Sequence, residues 1–236
     1  MDQFKISTLK EISVAGLDIS FTNSAVFMVL AVALVSIFLI ASTSGRALIP
    51  GRWQSAAEMC YELVANMLRD NVGSAGRAYF PFVFTVFMFI LFGNLLGLIP
   101  GAFTFTSHII VTFALAAVIF VGVTFIGFAR HGFGFLRLFF PHGAPLWTAV
   151  ILVPIELVSY LSRPISLSVR LFANMVVGHV LLKVIAGFVV LLGILGVVPL
   201  AFLVGITALE FLVAALQAYI FTILTCIYLH DAIHLH

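Results

Sequence analysis

Charged and hydrogen-bonding side chains recur within an otherwise apolar stretch, LSRPISLSVRLFANMVVGHVLLK at residues 161–183. The stretch contains two arginines, an asparagine, a histidine and a lysine: Arg163, Arg170, Asn174, His179 and Lys183. In a membrane, an unpaired arginine at mid-depth costs from about 2.5 to over 10 kcal/mol. Such groups therefore face a water-filled cavity or a partner of opposite charge, and they mark pathways for ions or protons.

One face of the helix predicted for this stretch is polar. At about 100° per residue, four side chains fall within about 40° of one direction: Arg163, Ser166, Arg170 and Asn174. Glu156 joins the same face, fourteen residues before Arg170. His179 lies on the opposite face, about 13 Å beyond Arg170 along the helix. The pattern predicts a polar stripe that crosses the membrane, with a displaced histidine.

Some of these residues also have a purely structural explanation. Arg163 lies nearer the inner end of the predicted helix, where it could reach the interface or form a structural ion pair. Lys183, near the outer end, is expected to be an anchor at the interface. Arg170 has apolar-rich sequence on both sides, so we expect it to be functional.

A second set of polar residues lies in the last apolar run, in ALEFLVAALQAYIF. Glu210 and Gln217 are seven residues apart, so they share a helix face at about 10 Å separation. If the last two long helices pair antiparallel, Glu210 comes near the level of His179, and Gln217 nearer Arg170. A buried glutamate and a histidine within reach of water favour a proton relay. Each residue alone could instead be a core residue with a backbone hydrogen bond.

Other polar features are weaker signals. Asn94, in LFGNLLGLIP, is equally compatible with a functional role and with an interhelical hydrogen bond. His108 begins a predicted span and is expected among the lipid headgroups. The terminal YLHDAIHLH has the composition of a metal tract, but we expect a solvated tail there. Cys60 and Cys226 stand alone, so no disulfide, metal site or cofactor is expected.

The composition excludes a water-soluble protein. Of the 236 residues, 63% are hydrophobic and 8% are charged, whereas a soluble domain carries about 25% charged residues. The net charge of +2 is too small to suggest nucleic-acid binding. The sequence contains no phosphate-binding loop, dinucleotide fingerprint or hydrolase motif. We therefore predict a non-catalytic protein of the lipid bilayer. If it is a subunit of an enzyme, its contribution is to move ions.

The apolar runs predict an all-α polytopic membrane protein with a single domain. We expect about five membrane-crossing helices and one interfacial amphipathic helix. The predicted segments are a first span at 24–42, the amphipathic helix at 51–72, a helical hairpin at 80–128 and a long helix pair at 145–229. A helix over 145–192 would be about 70 Å long, against about 30 Å of hydrocarbon. The last two helices should therefore be strongly tilted and meet near residues 193–199.

Basic residues predict the orientation. They cluster around the amphipathic helix and in the connector after the hairpin, at Arg46, Arg52, Arg69, Arg77, Arg130 and Arg137. With five crossings, both clusters lie on one side, and the positive-inside rule makes that side the interior. The N-terminus is then outside and the C-terminus inside. No signal or transit peptide is recognisable, so we expect the first span to stay uncleaved.

Three segments resemble those of a known family. SRPISLSVRLFANMVVGH is similar to the signature of subunit a of F-type ATP synthases, the stator subunit beside the rotating c-ring. FGNLLGLIP and ALEFLVAALQAYIFTIL resemble other recurring segments of that family, in the expected order. The resemblance covers the chain from about Phe80 to its end. It implies c-ring subunits, peripheral-stalk b-type subunits and the remaining synthase subunits as partners.

The resemblance also implies roles for individual residues. Arg170 would face the c-ring carboxylate, with Asn174 and Gln217 beside it. The outer of two proton half-channels would contain His179 and Glu210, and the inner one Glu156. The predicted proton pathway thus comprises His179, Glu210, Glu156, Asn174, Gln217 and Arg163, with Arg170 as the charge barrier. The order of histidine and glutamate is similar to that of the mitochondrial and alphaproteobacterial branch. This likeness implies a protein of a bacterial inner membrane or of the mitochondrial inner membrane.

Arginine suits a barrier because it does not lose its proton in proteins. A fixed positive charge between two aqueous pockets repels a proton that would cross directly, and it favours ionisation of a passing carboxylate. The alternative function is a self-contained ion-coupled secondary transporter. Such transporters usually contain internal repeats with broken helices, and we find no repeat in this sequence.

Overall fold

A computed structural model describes residues 8–10, 13–14, 17–18, 21–44, 50–99, 102–139 and 149–234. Four strands of two or three residues form two antiparallel pairs near the N-terminus: β1 (Thr8–Lys10) with β4 (Phe21–Thr22), and β2 (Ser13–Val14) with β3 (Leu17–Asp18). The α-helices of the described residues are α1 (Asn23–Thr43), α2 (Arg52–Val72), α3 (Phe80–Gly97), α4 (Ile109–His131), α5 (Ala149–Leu191) and α6 (Val197–Ile233).

Five stretches of helix in the described residues are long and apolar enough to cross a membrane. They are Asn23–Thr43, Arg52–Gly97, Ile109–Phe135, Val150–Leu191 and Val197–Ile233. The second stretch contains both α2 and α3. The predicted class, an all-α polytopic membrane protein, is confirmed.

Helix α2 is separated from α3 by a 3-10 segment, Gly73–Tyr79. Gly73 has a φ of 76°, which favours glycine because a side chain there would be strained. One side of α2 is buried against α1, α3 and α6, at Val64, Met67, Leu68 and Val72. Trp53, near the start of α2, is 69% exposed. A position of α2 at the membrane surface stays a prediction.

Helices α5 and α6 pack against each other along the chain's longest helical segments. Their 43 and 37 residues correspond to about 64 and 55 Å. Pro154 and Pro164 lie inside α5 without ending it, although each removes one backbone N–H. A 3-10 turn at Gly193–Gly196 joins the two helices. Because both exceed the thickness of the hydrocarbon, we still expect them to be tilted in a membrane.

The loop between α3 and α4 folds into the protein instead of lying on its surface. Phe105–Ser107 forms a short 3-10 helix, and Phe105 is 1% exposed. The polar side chains of Thr104, Thr106 and Ser107 are buried as well. The sequence predicted only a short connection here.

The prediction of a solvated C-terminal tail is wrong for residues 229–233. Helix α6 continues to Ile233, and Leu229, Ala232 and Ile233 are buried. The His131 Nε2 atom lies 2.9 Å from the carbonyl oxygen of Ile233. Three parts of the predictions lie outside the described residues. They are the end of the tail at 235–236, Arg46 in the basic cluster that predicts the orientation, and residues 141–148, where the long helix pair was expected to begin.

The fold predicts that Gly127→Ala destabilises the protein. A methyl group at position 127 would overlap Phe135 Cε2, and overpacking of this kind costs about 1–3 kcal/mol. We expect the midpoint of thermal unfolding in detergent to fall by several degrees, at about 2–4 °C per kcal/mol. Gly122→Ala is the matched control, because nothing lies within 4 Å of its added methyl group. Equal midpoints for the two variants would contradict the packing described here.

Candidate functional site

A small cavity between the end of α3 and helices α5 and α6 brings four predicted site residues together. Its volume is about 20 Å³, which is room for about one water molecule. Helix α5 contributes Asn174 and His179, and α6 contributes Glu210 and Gln217. The antiparallel pairing thus brings the histidine and the glutamate to one place, as the sequence suggested.

The Glu210 carboxyl group lies against the backbone of α5. Glu210 is 9% exposed, and neither carboxyl oxygen has a hydrogen-bond partner among the described residues. A methyl group at position 178 would lie 2.5 Å from Glu210 Oε1, so the carboxyl occupies space that Gly178 leaves open. Because a buried carboxylate without partners is costly, this group is suited to exchanging a proton with water in the cavity.

An amide pair joins the two long helices beside the carboxyl group. Asn174 Nδ2 donates a hydrogen bond to Gln217 Oε1 at 2.8 Å. Gln217 is 1% exposed, and its Nε2 has no partner among the described residues. The pair holds α5 and α6 together and leaves a buried donor beside the cavity.

His179 contacts a residue that the sequence analysis did not single out. Its Nε2 lies 2.9 Å from the hydroxyl oxygen of Thr104, and that hydroxyl also donates to the carbonyl oxygen of Gly97 at 3.2 Å. Thr104 belongs to the α3–α4 loop, 75 residues before His179. No periodic pattern connects two residues so far apart, so only the composition TFTSH of the loop hinted at buried hydroxyl groups.

A larger cleft lies next to His179. It has a volume of about 290 Å³ and shares Leu98 and His179 with the small cavity. Lys183 and Thr207 line it further out. The cleft and the small cavity therefore meet at Leu98 and His179.

Arg170 is exposed, as is Asn174, whereas His179, Glu210 and Gln217 are buried. No hydrogen bond or ion pair connects its guanidinium group to a described residue. Its neighbours on the surface of α5 include Val169 and Val177, which are 43% and 64% exposed. A permanent charge on an apolar surface requires water or a partner of opposite charge, and this chain supplies no such carboxylate among the described residues.

Arg163 forms the structural ion pair that the sequence left open as an alternative. Its Nη1 lies 2.7 Å from Asp231 Oδ2, and its guanidinium carbon lies 5.5 and 5.2 Å from the rings of Tyr160 and Tyr228. Asp231 was missed because it was assigned to a solvated tail. The pair fastens α5 to the end of α6.

The remaining predicted residues have separate surroundings. Glu156 is half-buried, and it makes no hydrogen bond or ion pair with a described residue. Asn94 Nδ2 donates to the carbonyl oxygen of Ala214 at 3.3 Å, which favours the interhelical hydrogen bond.

No group of three or more His, Cys, Asp or Glu side chains in the described residues could hold a metal ion.

His108 lies just before α4, at the edge of the buried loop. Its ring stacks on Phe103, with centroids 5.1 Å apart and an interplanar angle of 16°. Burial lowers the pKa of the His108 imidazole below its ordinary value. His108 therefore contacts other residues of the chain. The sequence predicted that it lies among the lipid headgroups.

Fold and site together define a multi-pass helical membrane protein with ionisable groups buried between two long helices. The family model described as ATP synthase A chain matches residues 25–230. The chain is 65% identical to ATP synthase subunit a of Paramagnetospirillum magneticum, over 100% of this chain and 98% of that protein. It is 64% identical to ATP synthase subunit a of Rhodospirillum rubrum, with the same coverage. For ATP synthase subunit a of Mesorhizobium japonicum the identity is 58%, over 98% of this chain and 95% of the relative.

The chain therefore belongs to the ATP synthase A chain family. It is the proton-translocating stator subunit of an F0 membrane sector, in a bacterial membrane. This finding confirms the resemblance stated from the sequence.

The position of the Glu210 carboxyl group predicts that Gly178→Ala impairs proton translocation. The added methyl group would displace the carboxyl by about 1 Å or more, given that carbon–oxygen contacts are close to 3.5 Å. We expect ATP-driven proton pumping by inverted membrane vesicles to fall about tenfold, because small displacements of transfer groups are costly. Gly187→Ala on the same helix is the control, since nothing lies within 4 Å of its methyl group. Normal pumping by Gly178→Ala would contradict a role for this carboxyl position.

The contact between Arg163 and Asp231 predicts a non-additive double-mutant cycle. Arg163→Gln and Asp231→Asn should each destabilise the protein, because each leaves one half-buried charge without its partner. The double variant should lose less than the sum of the two, with a coupling of about 1–2 kcal/mol. Thermal unfolding of the four purified proteins measures this. Additive effects would show that the ion pair contributes nothing to holding α5 against α6.

Proposed function

We propose that the chain forms two offset proton half-channels against the c-ring, separated by Arg170. One observation carries the proposal: the guanidinium group of Arg170 is exposed on α5 without a partner among the described residues, four residues from Asn174, which lines the buried cavity. A c-ring carboxylate that passes this surface would supply the missing opposite charge.

The outer half-channel follows the cavities. Protons enter by the cleft beside Lys183 and reach His179 and Glu210, which share the water-sized cavity. The amide pair of Asn174 and Gln217 lies between these groups and the surface that carries Arg170. Histidine and glutamate can both accept and release protons near neutral pH when their surroundings adjust them, so the route needs no metal ion.

The inner half-channel begins at Glu156. This residue lies about 21 Å from Arg170 along α5, towards the end at which Arg163 contacts Asp231. Its carboxyl group is half-buried and has no partner among the described residues, so it is available to protons that leave the ring. Arg163, included in the predicted pathway, acts in this proposal as an anchor of α5.

Arg170 separates the two routes electrostatically. A proton that moves down about 100 mV releases about 2.3 kcal/mol, and this energy is lost if the proton crosses without turning the ring. The guanidinium charge repels a proton at the gap between the half-channels, and it stabilises the ionised form of an approaching carboxylate. The carboxylate must release its proton inwards before it passes the arginine.

The contacts inside the chain support the proposed orientation, with the N-terminus outside and the C-terminus inside. The α3–α4 loop contacts His179 near one end of the bundle. The end of α4 contacts the end of α6 at the other, through His131 and Ile233. Arg130 lies at this second end, which the positive-inside rule places in the interior. Peripheral-stalk subunits of the b type would bind outside the surface that faces the ring.

Family membership favours this function over the self-contained transporter that the sequence left open. A subunit that works against a rotating ring needs one exposed charge and buried access routes. A self-contained transporter would close its ion site within its own repeats. The exposed position of Arg170 agrees with the first arrangement.

The proposal predicts that Arg170→Ala abolishes ATP-driven proton pumping in inverted vesicles that contain the full enzyme. Without the guanidinium charge, the carboxyl group of the ring is no longer driven to release its proton. Protons can also cross directly between the half-channels. Passive proton permeability should therefore stay measurable or increase after removal of the soluble sector. Arg52→Gln, which removes an exposed arginine at the start of α2, should leave pumping within about twofold, because surface charges contribute little. Coupled pumping by Arg170→Ala at the rate of the unmodified enzyme would disprove the proposal.

A further inference from the structure

The hydroxyl group of Thr104 lies between two groups that can bind its single hydrogen atom. Its oxygen is 2.9 Å from His179 Nε2 and 3.2 Å from the carbonyl oxygen of Gly97. A hydroxyl group has one hydrogen to donate and two lone pairs with which to accept, whereas a carbonyl oxygen only accepts. Where the hydrogen goes therefore decides which atom donates in the contact with His179.

The carbonyl group of Gly97 needs a donor. Gly97 is the last residue of α3, and the last four carbonyl groups of a helix have no partner within it. Gly97 is buried and Thr104 is 1% exposed, so the contact between them is shielded from bulk water. An unpaired buried carbonyl is costly, and the Thr104 side chain is the donor that the described residues provide. The threonine oxygen must then accept a hydrogen from Nε2.

We propose that Thr104 is a positioning residue for proton transfer, which holds His179 in the tautomer that carries its hydrogen on Nε2. The inference rests on the proposed function, in which His179 lies on the outer proton route. In a neutral imidazole the other nitrogen is the base. On the outer route, Nδ1 is therefore the nitrogen that takes a proton from a hydronium ion and gives it to another water molecule, while the Nε2–H bond stays in place.

The loop that carries Thr104 is built to keep this contact. A methyl group at position 97 would lie 2.6 Å from Thr104 Cγ2, so the glycine in FGNLLGLIP makes room for the threonine. Ser107 Oγ donates to the Thr104 carbonyl oxygen at 2.6 Å, which fixes the backbone of the loop. A ring held on one side by such a loop does not have to rotate between uptake and release of a proton.

Two substitutions separate the hydroxyl group from the shape of the side chain. Thr104→Val keeps the shape and removes the hydroxyl, and Thr104→Ser keeps the hydroxyl and removes the methyl group. Each is made in the full enzyme in membranes with ¹⁵N-labelled histidine. The tautomer is read by solid-state NMR, and the His179 signal is assigned by its loss in His179→Gln. ATP-driven proton pumping is measured on the same membranes.

We expect Thr104→Val to give a mixture of both His179 tautomers and about fivefold slower pumping, the effect of one lost hydrogen bond. Thr104→Ser should keep the Nε2–H tautomer and at least about half of the rate, since its hydroxyl can make both contacts. The inference is overturned if Thr104→Val keeps the single tautomer, or if Thr104→Ser is as impaired as Thr104→Val.

The role of His179 itself is tested separately. If His179→Gln stops pumping while Thr104→Val changes neither tautomer nor rate, the inference about Thr104 fails and the proposed function stands. If His179→Gln pumps at the rate of the unmodified enzyme, the outer route of the proposed function fails. A changed tautomer with unchanged pumping in Thr104→Val overturns the positioning role.

Discussion

The cost of placing hydrogen-bonding groups in hydrocarbon governs this structure. Water cannot satisfy such groups inside a bilayer, so each must find a partner within the protein or face a wet cavity. Asn94 bonds to the backbone of α6, and Asn174 bonds to Gln217. Arg163 is paired with Asp231. Against this background, Arg170 is exposed and makes no hydrogen bond or ion pair with a described residue. In the proposed function, a c-ring carboxylate supplies the opposite charge.

Close approach of the helices follows from the same constraint. Apolar helices gain little from each other in lipid by the hydrophobic effect, so their association depends on tight packing and on interhelical hydrogen bonds. The Glu210 carboxyl lies where Gly178 has no side chain, and the Thr104 side chain lies where Gly97 has none. These two glycines therefore allow a polar side chain to lie against the backbone of a neighbouring helix.

The two ends of the long helix pair are fastened in different ways. At one end, the buried α3–α4 loop contacts His179. At the other, Asp231 and the carbonyl of Ile233 contact α5 and α4. A stator must keep its proton route in one geometry while its partner moves past it. In the proposed function, these contacts at both ends keep the middle of α5, with Arg170, in a fixed position against the c-ring.

The sequence by itself determined the class, the number of spans and the face on which Arg170 and Asn174 lie. Hydrocarbon thickness sets the length of a span, and the helical repeat sets which residues share a face, so both can be read from order along the chain. Only the tertiary structure decided that Thr104 contacts His179, that Arg163 pairs with Asp231, and that Leu229 and Ile233 are buried. These contacts join residues far apart in the chain, where no local periodicity records which side chains will meet.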